Sequence, residues 1–266
     1  MNEPPVPSDP DDRAALVARE RAFHDDRYQD DQRGATAKYY AVDSGRDAYA
    51  TLVEAAAVPG ARVLEYGCGT GSLGPALAVA GADVTGIDIS PVAIAEASAV
   101  ADAVGVPAGT ARFLVMDAHH LEFPDASFDL VCGSGILHHL DLDAALPEVA
   151  RVLRPGGAGV FYEPLGTNPL INLYRRLTPG MRTLDEHPLV PADIAAARRW
   201  FGSVEWEVHT FLALAGAVLG RLGPAGRLAP TLVRADRWLF RRLPWTRRFA
   251  WVVVLRLGAP RSEAAG

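Results

Sequence analysis

Short apolar runs alternate with stretches of helical periodicity along most of this chain, at residues 61–66, 83–88, 111–116, 128–133 and 158–163. Runs of this length, bounded by glycine, aspartate or proline, read as buried strands. Helical stretches such as Pro91 to Val104 and Ala144 to Leu153 separate them. Ser90-Pro91 is a good helix start, because serine can cap and proline suits the first helical position. Ser203 to His209 and Ala250 to Leu257 read as sixth and seventh strands. Such alternation predicts an α/β fold, a doubly wound and mostly parallel sheet with helices on both faces. Ligands then bind beyond the carboxyl ends of the strands.

The chemistry-bearing residues fall at those ends. Val63-Leu64-Glu65-Tyr66-Gly67-Cys68-Gly69-Thr70-Gly71 is an apolar run that ends in a carboxylate and then alternating glycines. Glycines there let the backbone turn sharply and present its N–H groups to a ligand. Asp88 closes the next run, where a carboxylate can bond a ribose diol. Gly69, Gly71 and Gly74 formally satisfy the dinucleotide pattern, which alone is weak evidence. Gly67, Gly69 and Gly71 after Glu65 instead fit the alternating pattern of S-adenosylmethionine sites, where no pyrophosphate is needed and Glu65 can help orient the ligand's ammonium group.

Met116-Asp117-Ala118 closes the third run, Leu121 to Asp129 leads into the fourth, and Ile136-Leu137-His138-His139-Leu140 and Val152-Leu153-Arg154-Pro155-Gly156-Gly157 follow. With these motifs in order, residues 38 to 163 resemble the class I S-adenosylmethionine-dependent methyltransferases, in the broad group that includes the ubiquinone and menaquinone C-methyltransferases. The resemblance implies a seven-stranded Rossmann-like sheet and S-adenosylmethionine as cofactor. It implies that Glu65 and the turn of Gly67, Cys68, Gly69 and Gly71 hold the methionine end. Asp88 would bind the ribose hydroxyls with Ile89 against the adenine, Asp117 would accept from the adenine amino group with Ala118 beside it, and Gly133 to Ile136 would border the methyl group. Tyr39 and Tyr40 fall where related enzymes lay an aromatic cap over the active site. Cys68 reads as a small buried filler.

For the acceptor side, His138, His139 and Glu163 follow strands whose ends border the methyl group, so His139 or Glu163 could serve as general base. Packing of one histidine, and bonding of Glu163 to the loop backbone at Thr167 or Asn168, are the bland alternatives. His187 could join a polar cluster with Glu163 near the substrate. His119 and His120 read as packing or backbone partners. Glu163, His187, His138 and Asp141 lack any fixed metal-ligand spacing, so no metal is expected.

These readings divide the chain into a disordered tail (1–12), a helical cap (13–57), the cofactor-binding core (58–163), a substrate-side loop and helix (164–202), C-terminal strands with a helical insert (203–258) and a tail (259–266). Composition narrows the function further. The 266 residues, 49% of them apolar, suffice for one sizeable domain with appended helices. Two cysteines, Cys68 and Cys132, in apolar surroundings argue for a reducing compartment. The start, rich in proline and aspartate, does not read as a signal peptide, so a cytoplasmic location is expected. Residues 198 to 266 hold twelve arginines against four acidic residues, whereas the whole chain carries −6. That basic third reads as solvated helix faces, a homodimer surface or a peripheral contact with an anionic membrane. DNA is excluded as a substrate, since the turn after the fourth strand is Cys132-Gly133-Ser134-Gly135 and lacks the Asn/Asp-Pro-Pro-aromatic turn of the amino-methylating enzymes. The reading is a methyltransferase acting on oxygen or carbon of a small apolar or aromatic metabolite. A cofactor-binding protein that does not methylate, a cyclase on the same fold and an RNA methyltransferase remain the alternatives.

Overall fold

A computed structural model describes residues 18–22, 25, 44–178, 186–213 and 229–261. Seven strands run β1 (Arg62–Tyr66), β2 (Asp83–Asp88), β3 (Ala111–Val115), β4 (Phe128–Ser134), β5 (Leu153–Pro164), β6 (Phe201–His209) and β7 (Val252–Pro260). The described helices are α1 (Ser44–Ala56), α2 (Gly74–Val79), α3 (Pro91–Ala103), α4 (Leu142–Val152), α5 (Pro169–Leu177), α6 (Pro191–Ala196) and α7 (Ala229–Arg242). Single-turn 3₁₀ segments sit at Leu137–His139 and Ala197–Arg199, and a longer one at Pro244–Phe249.

The strands form one sheet in the order β3-β2-β1-β4-β5-β7-β6. β1 to β5 are parallel, and β7 runs antiparallel between β5 and β6. Because side chains alternate across a strand, the inner strands are divided between two cores. Val63, Val84, Leu130, Val160 and Tyr162 pack with Tyr49 and Val53 of α1 and Leu77 of α2. Leu64, Tyr66, Val131 and Phe161 face Leu146 and Val149 of α4 and Ile194 of α6. Burying both faces explains the nearly continuous apolar runs of these strands.

Six of the seven strands start within two residues of where the apolar runs place them. β5 is the exception, beginning at Leu153, five residues early. Leu153 pairs with Phe128 ahead of a register shift, so the Arg154 to Gly157 segment continues the strand. β7 likewise runs into the expected tail as far as Pro260. Ser90 caps α3, its Oγ accepting from Ala93 N–H at 3.1 Å. The helical insert is anchored by the buried Asp236, whose carboxylate accepts from the N–H groups of Phe211, Leu212 and Ala213 at 3.0, 2.7 and 3.1 Å. Three bonds of this kind satisfy a buried charge that would otherwise be costly. Of the N-terminal cap, 18–22 and α1 are helical.

Candidate active site

The sheet order reverses between β1 and its neighbours β2 and β4, the switch point where doubly wound sheets open a crevice. Four strand ends meet there. Beyond β1, Gly67, Gly69 and Gly71 take φ values of +71°, +53° and +87°, which L side chains rarely adopt. At Gly67 a Cβ would also lie 2.8 Å from the Ile136 side chain, so the turn lies directly against the loop after β4. Cys68 N–H bonds Ile87 O at 2.8 Å, fastening the turn to the end of β2. Burial pushes the Cys68 thiol up, so it is a protonated filler.

Asp88 ends β2 half-buried. Its Oδ2 accepts from Gly69 N–H at 2.9 Å and its Oδ1 from Ser90 N–H at 3.0 Å, which aims the carboxylate across the glycine turn. Met116 N–H bonds Asp88 O at 3.0 Å and brings the next strand end alongside. There Asp117 Oδ1 meets His119 Nδ1 at 2.8 Å. His119 Nε2 accepts from Asp141 N–H at 3.0 Å, so the ring's proton must be on Nδ1, donated to Asp117. His119 thus fixes the orientation of Asp117, as the backbone-partner reading expects. Tyr66 O–H donates to Ala118 O and pins the same loop from below.

Glu65 requires a correction. It is fully buried, and both oxygens are spent on the chain: Oε1 accepts from Ser72 Oγ at 2.6 Å and Leu73 N–H at 2.9 Å, Oε2 from Gly74 N–H at 2.9 Å. Burial raises its pKa while these bonds oppose the rise. Glu65 therefore braces the N-terminus of α2, where a carboxylate is favoured, and shapes the turn from beneath instead of meeting an ammonium group.

Glu163 is corrected for the same reason. Fully buried at the end of β5, its Oε1 accepts from Ile136 N–H at 3.0 Å and Leu137 N–H at 2.8 Å, and its Oε2 from His138 Nδ1 at 2.8 Å. The loop it bonds is the one after β4, and Asn168 instead caps α5. With every oxygen engaged, Glu163 is a strut for the 3₁₀ turn that carries the histidines.

His138 and His139 stack at 4.1 Å between ring centroids. Burial, followed by the charge of His139, lowers the pKa of His138 despite the Glu163 bond. Its Nε2 faces Glu186 Oε1 at 3.9 Å. His139 behaves oppositely. Burial works to lower its pKa, but the bond to Glu20 and the charges of Glu20, Glu186 and Glu163 outweigh it and the net shift is upward. His139 Nδ1 lies 3.3 Å from Glu20 Oε2. The described N-terminal residues also reach the cofactor side, where Arg21 Nε donates to Ile89 O at 3.1 Å and Asp25 meets Ser90 Oγ.

His187 does not join this cluster. Its N–H bonds His138 O at 2.7 Å, but its ring turns to Asp193 at 3.3 Å. Glu186, the residue before it, takes the place beside His138 that was expected for His187. Tyr39 and Tyr40 lie outside the described residues. Among the described residues no histidine, cysteine and carboxylate groups are placed to hold a metal ion. Glu20 and Glu186 are the site residues that sequence reasoning missed.

A glycine turn without side chains, the half-buried Asp88 carboxylate and the Asp117 loop converge at this crevice, a set of groups that fits S-adenosylmethionine. Comparison with known proteins agrees. Residues 64–161 match the family described as "Methyltransferase domain". The chain is 32% identical over 159 residues to a ubiquinone biosynthesis O-methyltransferase of Bordetella avium, covering 56% of this chain and 64% of that protein. It spans less than two thirds of the length of the first curated relatives it matches. Among solved structures, the magnesium protoporphyrin IX methyltransferase of Synechocystis, with S-adenosylhomocysteine bound, shares the fold at a TM-score of 0.59, with 20% identity over 93% of this chain and all of that one. The cyclase SpnF shares it at 0.56, with 23% identity over 81% of this chain and 82% of that one. Residues 64–161 are thus a methyltransferase domain on a Rossmann-like fold, and S-adenosylmethionine is the cofactor that its crevice fits.

Proposed function

We propose that the protein transfers a methyl group to oxygen or carbon of a small apolar or aromatic acceptor. The convergence of the glycine turn, Asp88, Asp117 and the Gly133 strand end at the switch point, with a buried His–carboxylate cluster directly after β4, carries this reading. Similarity to the ubiquinone-pathway enzyme supports an aromatic hydroxyl or a neighbouring ring carbon as acceptor class.

In this reading Asp88 holds the ribose hydroxyls, Asp117 and Ile89 the adenine, and the Gly67 to Gly71 backbone the methionine end. When bound, S-adenosylmethionine supplies an electrophilic methyl group on its sulfonium. The protein's part is to position the acceptor, worth several kcal/mol of barrier, and to accept its proton. Glu20 lies 3.3 Å from Nδ1 of His139 and orients the ring, whose Nε2 takes the proton from the acceptor in this reading. Glu163 and His138 hold the turn on which His139 sits. A base so placed contributes about 10²-fold to 10⁴-fold.

The test is S-adenosylhomocysteine production with a panel of hydroquinones, catechols and phenols. Turnover lost in His139→Ala while cofactor affinity stays within about threefold supports the proposal. A wild type that binds the cofactor tightly yet never forms S-adenosylhomocysteine points to the binder or cyclase.

A further inference from the structure

We propose that α7, the 3₁₀ segment Pro244–Phe249 and α5 form a surface that docks on an anionic lipid bilayer. On α7, Arg234, Arg237, Trp238 and Arg241 recur at helical spacing and are exposed, opposite the buried Asp236 and Phe240. Trp238 is 57% exposed and Trp245 60%. Large indoles left in water at this level, interleaved with arginines, match the composition of helices that lie in the headgroup region. Arg248 stands 5.8 Å from the centroid of Trp245 and 4.9 Å from that of Phe249, so cation and ring are presented together.

Charge selects the partner. Between residues 229 and 249 there are six arginines and one acidic residue, Asp236. That carboxylate is buried and spent on three backbone N–H groups, so it neutralises nothing at the surface. An isologous contact with a second copy would set these arginines against their own kind. Phosphate-bearing lipid headgroups complement them.

The neighbouring helix adds an apolar stripe. Leu170, Leu173, Tyr174 and Leu177 fall at i, i+3, i+4 and i+7 of α5 and are all exposed, and no residue of α5 is buried. The two parts are joined where Asn168, the cap of α5, donates through Nδ2 to Phe249 O at 2.5 Å. An RNA backbone offers such a leucine stripe nothing to bury, whereas acyl chains do. No helix among the described residues is long and apolar enough to cross a membrane.

Co-sedimentation of the full chain with vesicles tests this. Vesicles of phosphatidylcholine and phosphatidylglycerol should carry the protein down at low salt and release it at high salt, and pure phosphatidylcholine vesicles should not bind it. Arg237→Glu combined with Arg241→Glu should reduce partitioning at least about tenfold. Trp238→Ala combined with Trp245→Ala, which leaves the charge intact, should also reduce it and guards against misfolding of the charge variant. Absence of binding at low salt, equal binding to neutral vesicles, or wild-type binding by both variants overturns the proposal. So does a concentration-dependent dimer that Trp238→Ala abolishes while vesicle binding persists.

Discussion

Around Asp88 the polar groups that shape the crevice are backbone N–H groups and carboxylates set within a few residues of a strand end. Around His139 they are side chains drawn from Glu20, Glu163 and Glu186, far apart in the chain. The first end is made by local turns: Gly69 N–H on Asp88, Cys68 N–H on Ile87 O, Met116 N–H on Asp88 O. The second is made by tertiary packing, with Glu163 of β5 holding the turn after β4 and Glu20 reaching over from the N-terminal cap. A backbone cradle suits a cofactor common to many enzymes. A site of assembled side chains can be altered for one acceptor without disturbing the cradle.

The largest effect is expected at the strut of the acceptor end. Glu163→Ala leaves Ile136 N–H, Leu137 N–H and His138 Nδ1 without their acceptor, and at about 1 to 3 kcal/mol per orphaned buried group the loss should reach about 4 kcal/mol in denaturant unfolding. A loss below about 1 kcal/mol would show that the turn does not depend on this carboxylate. Next comes the cradle. Gly67→Ala combines a left-handed φ, costing about 1 to 2 kcal/mol, with a Cβ 2.8 Å from Ile136. About 3 kcal/mol of stability and a matching fall in cofactor affinity should follow, read by calorimetry. Unchanged affinity would detach the turn from ligand binding.

The smallest effect is in pH dependence. His139 must be unprotonated to act as a base, and its pKa is held above the ordinary histidine value by Glu20 against the pull of burial. The rate should therefore rise with pH through that raised value, and Glu20→Gln should move the midpoint to lower pH. A profile that Glu20→Gln leaves unmoved removes Glu20 from the proton-accepting pair. Stability follows the same sign: the His139–Glu20 contribution is present below the unfolded pKa and fades as pH rises through the folded value, whereas His138, lowered by burial, costs stability as pH falls below the unfolded value.

This contrast also explains what was legible in the sequence. Strand ends, the glycine turn and Asp88 announce themselves because apolar runs and breakers are local signals. Glu65 and Glu163 were visible as carboxylates at strand ends, but nothing local distinguishes an oxygen aimed at a ligand from one spent on Gly74 or Leu137 N–H. Glu20 and Glu186 carried no signal, since their meeting with the histidines depends on how distant segments pack.

Calorimetric titration of S-adenosylhomocysteine into Asp88→Ala and His139→Ala, side by side with the wild type, tests the division of the site most directly. Asp88→Ala should weaken binding by about 1.5 to 3 kcal/mol, through lost hydrogen bonds to a charged acceptor, while His139→Ala stays within about threefold of the wild type. Equal loss in both variants, or a loss confined to His139→Ala, would contradict the separation of a backbone-built cofactor end from a side-chain-built acceptor end.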